Sequence, residues 1–192
     1  GAVEGRPLGG AAAALAEGTA LHRAQVSVCL PGYPKAEPGE SAARARFRRD
    51  RAGAHVDGLL PLGGDPGRRA AAERHLWLLG LPLTSAPEGA APLVVWDGSE
   101  RIMGPALRAA LAGRAPERWA TFDIGPAYRA ARAEAFARCP RRELAGRPGE
   151  AWLVHRFALH GVAPWRAGPA APRAVAYFRP AAEDPLAWLE AP

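Results

Sequence analysis

Apolar positions along the chain fall mostly into short runs cut off by proline and glycine, a pattern that predicts strands more often than helices. Residues 9–18 predict a short alanine-rich helix ended by Gly18. ALHRAQVSVCL (20–30) predicts a strand, stopped by the loop PGYPKAEPGE. Residues 41–50 fit a helix and irregular structure equally well. AHVDGLL predicts another short strand, followed by a loop and a helix over 66–74. HLWLLGLPLT (75–84) and APLVVW (91–96) are continuous apolar runs of strand length, as strands buried on both faces carry. A helical insert follows: residues 103–112 and 123–137 place apolar side chains at helical spacing, and Pro140 closes the second stretch. Strands resume in RELAG, EAWLVHRFALHGV and RAVAYF, with a last short helix at 184–190. Strands on both sides of a helical insertion predict a mainly β fold, an antiparallel double-sheet jelly roll of the cupin-like, double-stranded β-helix kind.

Composition narrows the picture without changing it. A chain of 192 residues, 48% of them apolar, suits one domain over 1–192 that buries a core without disulfides or a structural metal. No apolar run approaches the length of a membrane span, and GAVEGRPLGG lacks the basic-then-apolar order of a secretory signal. Cys29 and Cys139 form no metal-type spacing and read as two free buried thiols in a reducing cytoplasm. The net charge of +6 invites a nucleic-acid partner. It is almost wholly arginine, with Lys35 the only lysine, and it is scattered among acids. Its clearest cluster, ARARFRRDR (43–51), has no helix-turn-helix, zinc-finger or aromatic stacking motif beside it. A solvated arginine face is the simpler reading, with attraction of an anionic small molecule beside it.

Candidate chemistry begins at GAHVDGLLP (53–61), where a histidine and an aspartate interrupt an apolar stretch. In a strand, His55 and Asp57 point to the same face and can converge on one point. Of the five histidines, His155 and His160 lie in VHRFALHGVAPW, about a hundred residues downstream. A third nitrogen ligand from there would complete a two-histidine, one-carboxylate facial triad, which leaves open positions suited to non-haem Fe(II). The tripeptide alone is weak, because a strand-end His–Asp pair is often just hydrogen-bonded.

The order HVDG, then VHRFALHGVAPW, then APRAVAYFRP resembles the phytanoyl-CoA dioxygenase family of Fe(II)/2-oxoglutarate oxygenases, and looks closest to its bacterial members. The likeness runs from about residue 24 to 180. It implies that His55, Asp57 and His160 ligate the iron and that Arg173 binds the distal carboxylate of 2-oxoglutarate. The implied activity is a dioxygenase that uses O2, hydroxylates a small-molecule substrate and releases succinate and CO2. Neither nucleic acid nor membrane is implied as a partner. The family commonly has histidine where this chain has Glu100, in DGSERIM.

Each of these residues has a competitor. An odd separation puts His155 and His160 on opposite faces of an uninterrupted strand, so His155 reads as a packed or supporting histidine. Arg166, in a Pro/Gly-rich loop, reads as solvated or at the site mouth, whereas Arg173 opens an apolar strand. His75, Trp77 and Trp96 read as core by default, with support of the metal or cofactor pocket as the sharper alternative. Two other functions compete: a non-catalytic, cupin-like metal-binding protein with a regulatory role, and a basic nucleic-acid-binding module.

Overall fold

The computed structural model describes residue 21 and residues 23–190. The helix expected at 9–18, and His22, lie outside the described residues. The described residues form nine strands and four α-helices: β1 (Gln25–Cys29), α1 (Ala42–Asp50), β2 (Leu59–Leu62), β3 (Asp65–Ala71), β4 (Trp77–Pro82) and β5 (Leu93–Trp96) come first. After them come α2 (Glu100–Leu111), a 3-10 turn (Pro116–Thr121), α3 (Gly125–Arg138), β6 (Arg141–Leu144), β7 (Trp152–His155), β8 (His160–Val162), β9 (Arg173–Phe178) and α4 (Pro185–Glu190). Every strand pair is antiparallel.

The strands form a four-stranded sheet, β1-β9-β4-β7, a three-stranded sheet, β6-β5-β8, and a two-stranded ribbon, β2-β3. Alternation along each strand sorts side chains between two environments. From the four-stranded sheet, Leu78, Val154, Val175 and Tyr177 share one core with Leu93, Val95 and Leu144 of the three-stranded sheet. This is the space between the two sheets. The alternate residues Val94 and Trp96 face the other way and bury the apolar sides of α2 and α3, through Met103, Leu107, Tyr128 and Ala131. On the far side of the four-stranded sheet, Trp77, Leu79, Ala176 and Phe178 form a third cluster.

Three expectations are corrected. Residues 66–74 are not a helix: β3 pairs with β2 through the two-residue loop Gly63-Gly64, whose φ angles of 61° and 77° suit a tight hairpin. AHVDGLL is not one strand either, since only His55 makes a bridge, to His160, before the chain turns at Asp57 and β2 starts at Leu59. The run from 150 to 162 is broken as well. β7 belongs to the four-stranded sheet and β8 to the three-stranded one, and the intervening turn sends Phe157 and Leu159 into the helical core. The ambiguous residues 42–50 are helical, with Ser41 capping the N-terminus by accepting from the Arg44 amide. No helix among the described residues is long and apolar enough to cross a membrane. Both cysteines are free, Cys29 buried and Cys139 only half-buried.

Candidate metal centre

The site starts from one pair of backbone hydrogen bonds. The His55 amide donates to the His160 carbonyl (2.8 Å), and the His160 amide donates back to His55 (3.0 Å). This is the closely bonded kind of antiparallel pair, in which opposed side chains share a face. His160 is also the register partner of Val95, an inward-facing residue of β5. Both imidazoles therefore stand on the side of the three-stranded sheet that faces the four-stranded one, with ring centroids 4.9 Å apart. Gly161 makes the approach possible. A Cβ there would overlap the Ala52 carbonyl oxygen, to which the Val162 amide donates at 3.0 Å.

Asp57 completes the cluster from the turn after His55. Its Oδ1 lies 3.3 Å from His55 Nε2, and its Oδ2 lies 3.4 Å from His160 Nε2. One ligand atom from each of the three residues falls within 4.8 Å of the other two. His160 is 4% exposed, whereas the His55 side chain is about half exposed, so the cluster is open on one flank.

The tautomers follow from the backbone. His55 Nδ1 lies 3.0 Å from the Gly53 carbonyl oxygen, and His160 Nδ1 lies 2.9 Å from that of Ala158. A carbonyl oxygen only accepts, so both Nδ1 atoms carry protons and donate. In neutral rings both Nε2 atoms then present lone pairs toward the Asp57 carboxylate. Three electron-rich atoms facing one another need positive charge among them, supplied by protons on Nε2 or by a metal ion. Buried His160 Nε2 makes no hydrogen bond of acceptable geometry, as expected of a ligand atom aimed at an ion. The Nδ1–H to carbonyl contacts are of the kind that orient metal-ligating histidines. Burial alone would raise the Asp57 carboxyl, yet the His160 and His55 rings beside it outweigh burial and hold the group well below the usual carboxylate range. The cluster has the donor set and spacing to hold a metal ion.

Arg173 opens β9, opposite Cys29 of β1, and is 5% exposed. Alternation places it on the same face as Val175 and Tyr177, inside the two-sheet core. Its Nη2 lies 3.4 Å from the Tyr177 hydroxyl, its Nη1 has no hydrogen-bond partner, and the Trp152 ring stands 6.0 Å away. Burial pushes both the Cys29 thiol and the Tyr177 phenol up, more than the nearby guanidinium pulls them down. Both neighbours therefore stay neutral, and no ion pair involving Arg173 occurs among the described residues. A buried, uncompensated cation facing the same interior as the triad is costly without an anion to receive.

The competing residues are placed elsewhere. His155 pairs with Trp77 on the outer face of its sheet, and its Nδ1 accepts from the Phe157 amide. It is separated from His160 because the chain changes sheets between them, not because one strand alternates. His75 bridges to Ala181 and contacts Glu73 (3.1 Å). Arg166 forms an exposed pair with Glu143 (2.5 Å). Trp96 and Trp77 are core residues on the faces turned away from the site. Glu100 begins α2 and pairs loosely with Arg101.

Two residues were missed from sequence. Buried Ser99 accepts from the Leu159 amide (2.8 Å), which pins the residue before His160 to the start of α2. Arg179, just past β9, donates from Nε to Asp57 Oδ2 (2.7 Å). Neither has a local signal: a serine before a helix reads as a cap, and an arginine after a strand reads as a solvated end.

No protein-family model matches the chain, and no curated protein does. Among solved structures it is similar to a non-heme alpha ketoglutarate dependent carbocyclase, SnoK from nogalamycin biosynthesis, at 15% identity and a TM-score of 0.40 over 84% of this chain and 51% of that one. It is also similar to an N-substituted L-amino acid dioxygenase from Burkholderia ambifaria AMMD, at 18% identity and a TM-score of 0.39 over 84% of this chain and 51% of that one. The chain spans about half the length of either structure. Both likenesses are distant, and the reading of the site rests on its own geometry.

Proposed function

We propose that the protein is an Fe(II)- and 2-oxoglutarate-dependent dioxygenase that hydroxylates a small-molecule substrate, built on a jelly-roll core at about residues 24–180. The observation that carries this reading is the convergence of His55, Asp57 and His160, with both Nδ1 atoms held by backbone carbonyls and both Nε2 atoms turned toward the carboxylate. Two neutral imidazoles and one carboxylate occupy one face of an octahedral ion and leave the other face to ligands, the donor set of non-haem iron oxygenases. The residue order HVDG, HG and APRAVAYF favours the phytanoyl-CoA dioxygenase family within that class.

Fe(II) bound there would supply the redox chemistry by which 2-oxoglutarate and O2 become succinate, CO2 and one hydroxyl group on the substrate. The chain's own groups do the rest. Backbone carbonyls of Gly53 and Ala158 hold the two rings in the ligating tautomer. Arg173 receives the far carboxylate of the cosubstrate through a planar guanidinium, which offers two parallel donors where lysine offers a point charge. Neutral Tyr177, Cys29 and the Trp152 ring stand beside that cation and leave its charge for a ligand to balance.

The test is O2-dependent succinate formation after anaerobic loading with Fe(II) and 2-oxoglutarate, run against a panel of metabolites. Wild type should form succinate. His160→Ala, Asp57→Ala and Asp57→Glu should not, the last because its longer arm misplaces the carboxylate. Full turnover by any of these variants would contradict the triad.

A further inference from the structure

Asp57 is held from two directions, and only one of them belongs to the triad. Its turn hangs from the three-stranded sheet through the His55–His160 pair. Arg179 comes from the opposite sheet, one residue past β9. Its Nε donates to Asp57 Oδ2 (2.7 Å), its Nη1 donates to Gln25 Oε1 of β1 (2.9 Å), and its Cζ stands 5.6 Å from the Tyr177 ring centroid. The guanidinium is thus fixed by two acceptors and an aromatic face before any ion arrives.

We propose that Arg179 is a positioning residue for the metal centre, which locks the Asp57 carboxylate so that it meets an ion through a single oxygen. The inference rests on the metal reading of the triad and adds to it. A carboxylate on a turn can rotate about its last torsion and chelate an ion with both oxygens. With a lone pair of Oδ2 committed to a charge-assisted bond, chelation through both oxygens costs that bond, and monodentate ligation keeps it. A monodentate Asp57 leaves one more position open than a chelating one, and a two-point cosubstrate together with O2 needs three. Arg179 also couples the two sheets. Its anchors, Gln25 and Tyr177, lie on β1 and β9, the strand that carries Arg173, so the metal carboxylate and the cosubstrate arginine are referenced to one strand. The nearby positive charge opposes an incoming dication, but the carboxylate lies between them, and the orienting effect is the larger.

The experiment is a Co(II) titration of the full chain, followed by the visible d–d absorption, alongside thermal melts of the apoproteins. Wild type should bind Co(II). Arg179→Ala should bind it about 10–100-fold more weakly, the usual loss when a group orienting a ligand is removed. Its d–d band should change shape as Asp57 adopts another binding mode, and added ethylguanidinium should restore the wild-type spectrum. Arg179→Lys keeps the charge but cannot span both Asp57 and Gln25, so it should fall between the two and give a readout if the alanine variant fails to fold. Co(II) binding by wild type, with equal or tighter binding and an unaltered band in both variants, would overturn the role of Arg179 and leave the triad standing. No Co(II) binding by wild type would overturn the metal reading itself, and this inference with it.

Discussion

Asp57 and Arg173 are two buried charges whose partners differ in kind. Asp57 has cationic or protonatable neighbours on three sides, whereas Arg173 has only neutral ones. The Asp57 carboxyl is depressed in the fold, so its contribution to stability is full above the ordinary carboxylate range and is lost as pH falls below it. Asp57→Asn should therefore unfold with a shallower dependence on pH in acid, measurable by urea melts at a series of pH values. An unchanged slope would mean that His55 and His160 do not hold the carboxylate. Arg173→Ala should instead leave metal binding nearly intact and weaken 2-oxoglutarate binding by orders of magnitude. A buried carboxylate stripped of its charged partner loses about 2–5 kcal/mol, where each 1.4 kcal/mol is tenfold. Arg173→Lys should recover part of this, and calorimetric titration of each ligand separates the two effects. Unaltered 2-oxoglutarate affinity in Arg173→Ala would remove the cosubstrate role from this residue.

At the scale of elements, the site is a junction of two short pieces of backbone rather than a pair of long strands. His55 and Asp57 were legible because their spacing of two survives in a bridge-and-turn as well as in a strand. His160 was legible only through the family resemblance, and the structure adds a physical role for the Gly161 that follows it: no side chain fits against the Ala52 carbonyl. Gly161→Ala should thus push β8 away from the His55 segment and abolish metal binding while the helical core stays folded, as far-UV circular dichroism with a metal titration would show. Ser99 was not legible, since its partner is the Leu159 amide far along the chain. Ser99→Ala leaves a buried N–H unpaired, a loss of about 1–3 kcal/mol. A melt unchanged from wild type would show that the Ser99 bond does not hold β8 in place. The β3 segment was misread because the run RRAAAER (68–74) is rich in helix-forming residues. The Gly63-Gly64 loop before it was the stronger signal, since the hairpin pairing overrides local propensity there.

Across the whole molecule, the two sheets bring different parts of the site to one interior. The three-stranded sheet carries both histidines and the Asp57 turn, and the four-stranded sheet carries Arg173 and Arg179. The continuous apolar runs of β4 and β5, which read as strands buried on both faces, announced that layering. The crossing between β7 and β8 was hidden, because VHRFALHGV reads as one run until Phe157 and Leu159 find partners in the helices. A ligand that bridges groups from several elements stabilises the fold by mass action, about 2.7 kcal/mol at one hundred times its Kd. For a chain of this size that corresponds to a rise in Tm of roughly 5–10 °C. Wild type should show such a rise with a first-row divalent ion and His160→Ala should not, by differential scanning fluorimetry.

The central claim, that the triad and Arg173 form one site for a metal and a 2-oxo diacid, meets its most direct test in a stepwise anaerobic titration. Fe(II) is added first and 2-oxoglutarate second, with the visible charge-transfer absorption of a chelated 2-oxo acid as the signal. Neither ligand alone should give a band, and both together should give a saturable one. His160→Ala should lose the band entirely, and Arg173→Ala should reach it only at far higher 2-oxoglutarate concentration. A wild-type protein that gives no band, or an Arg173→Ala variant that saturates at the wild-type concentration, would contradict the central claim.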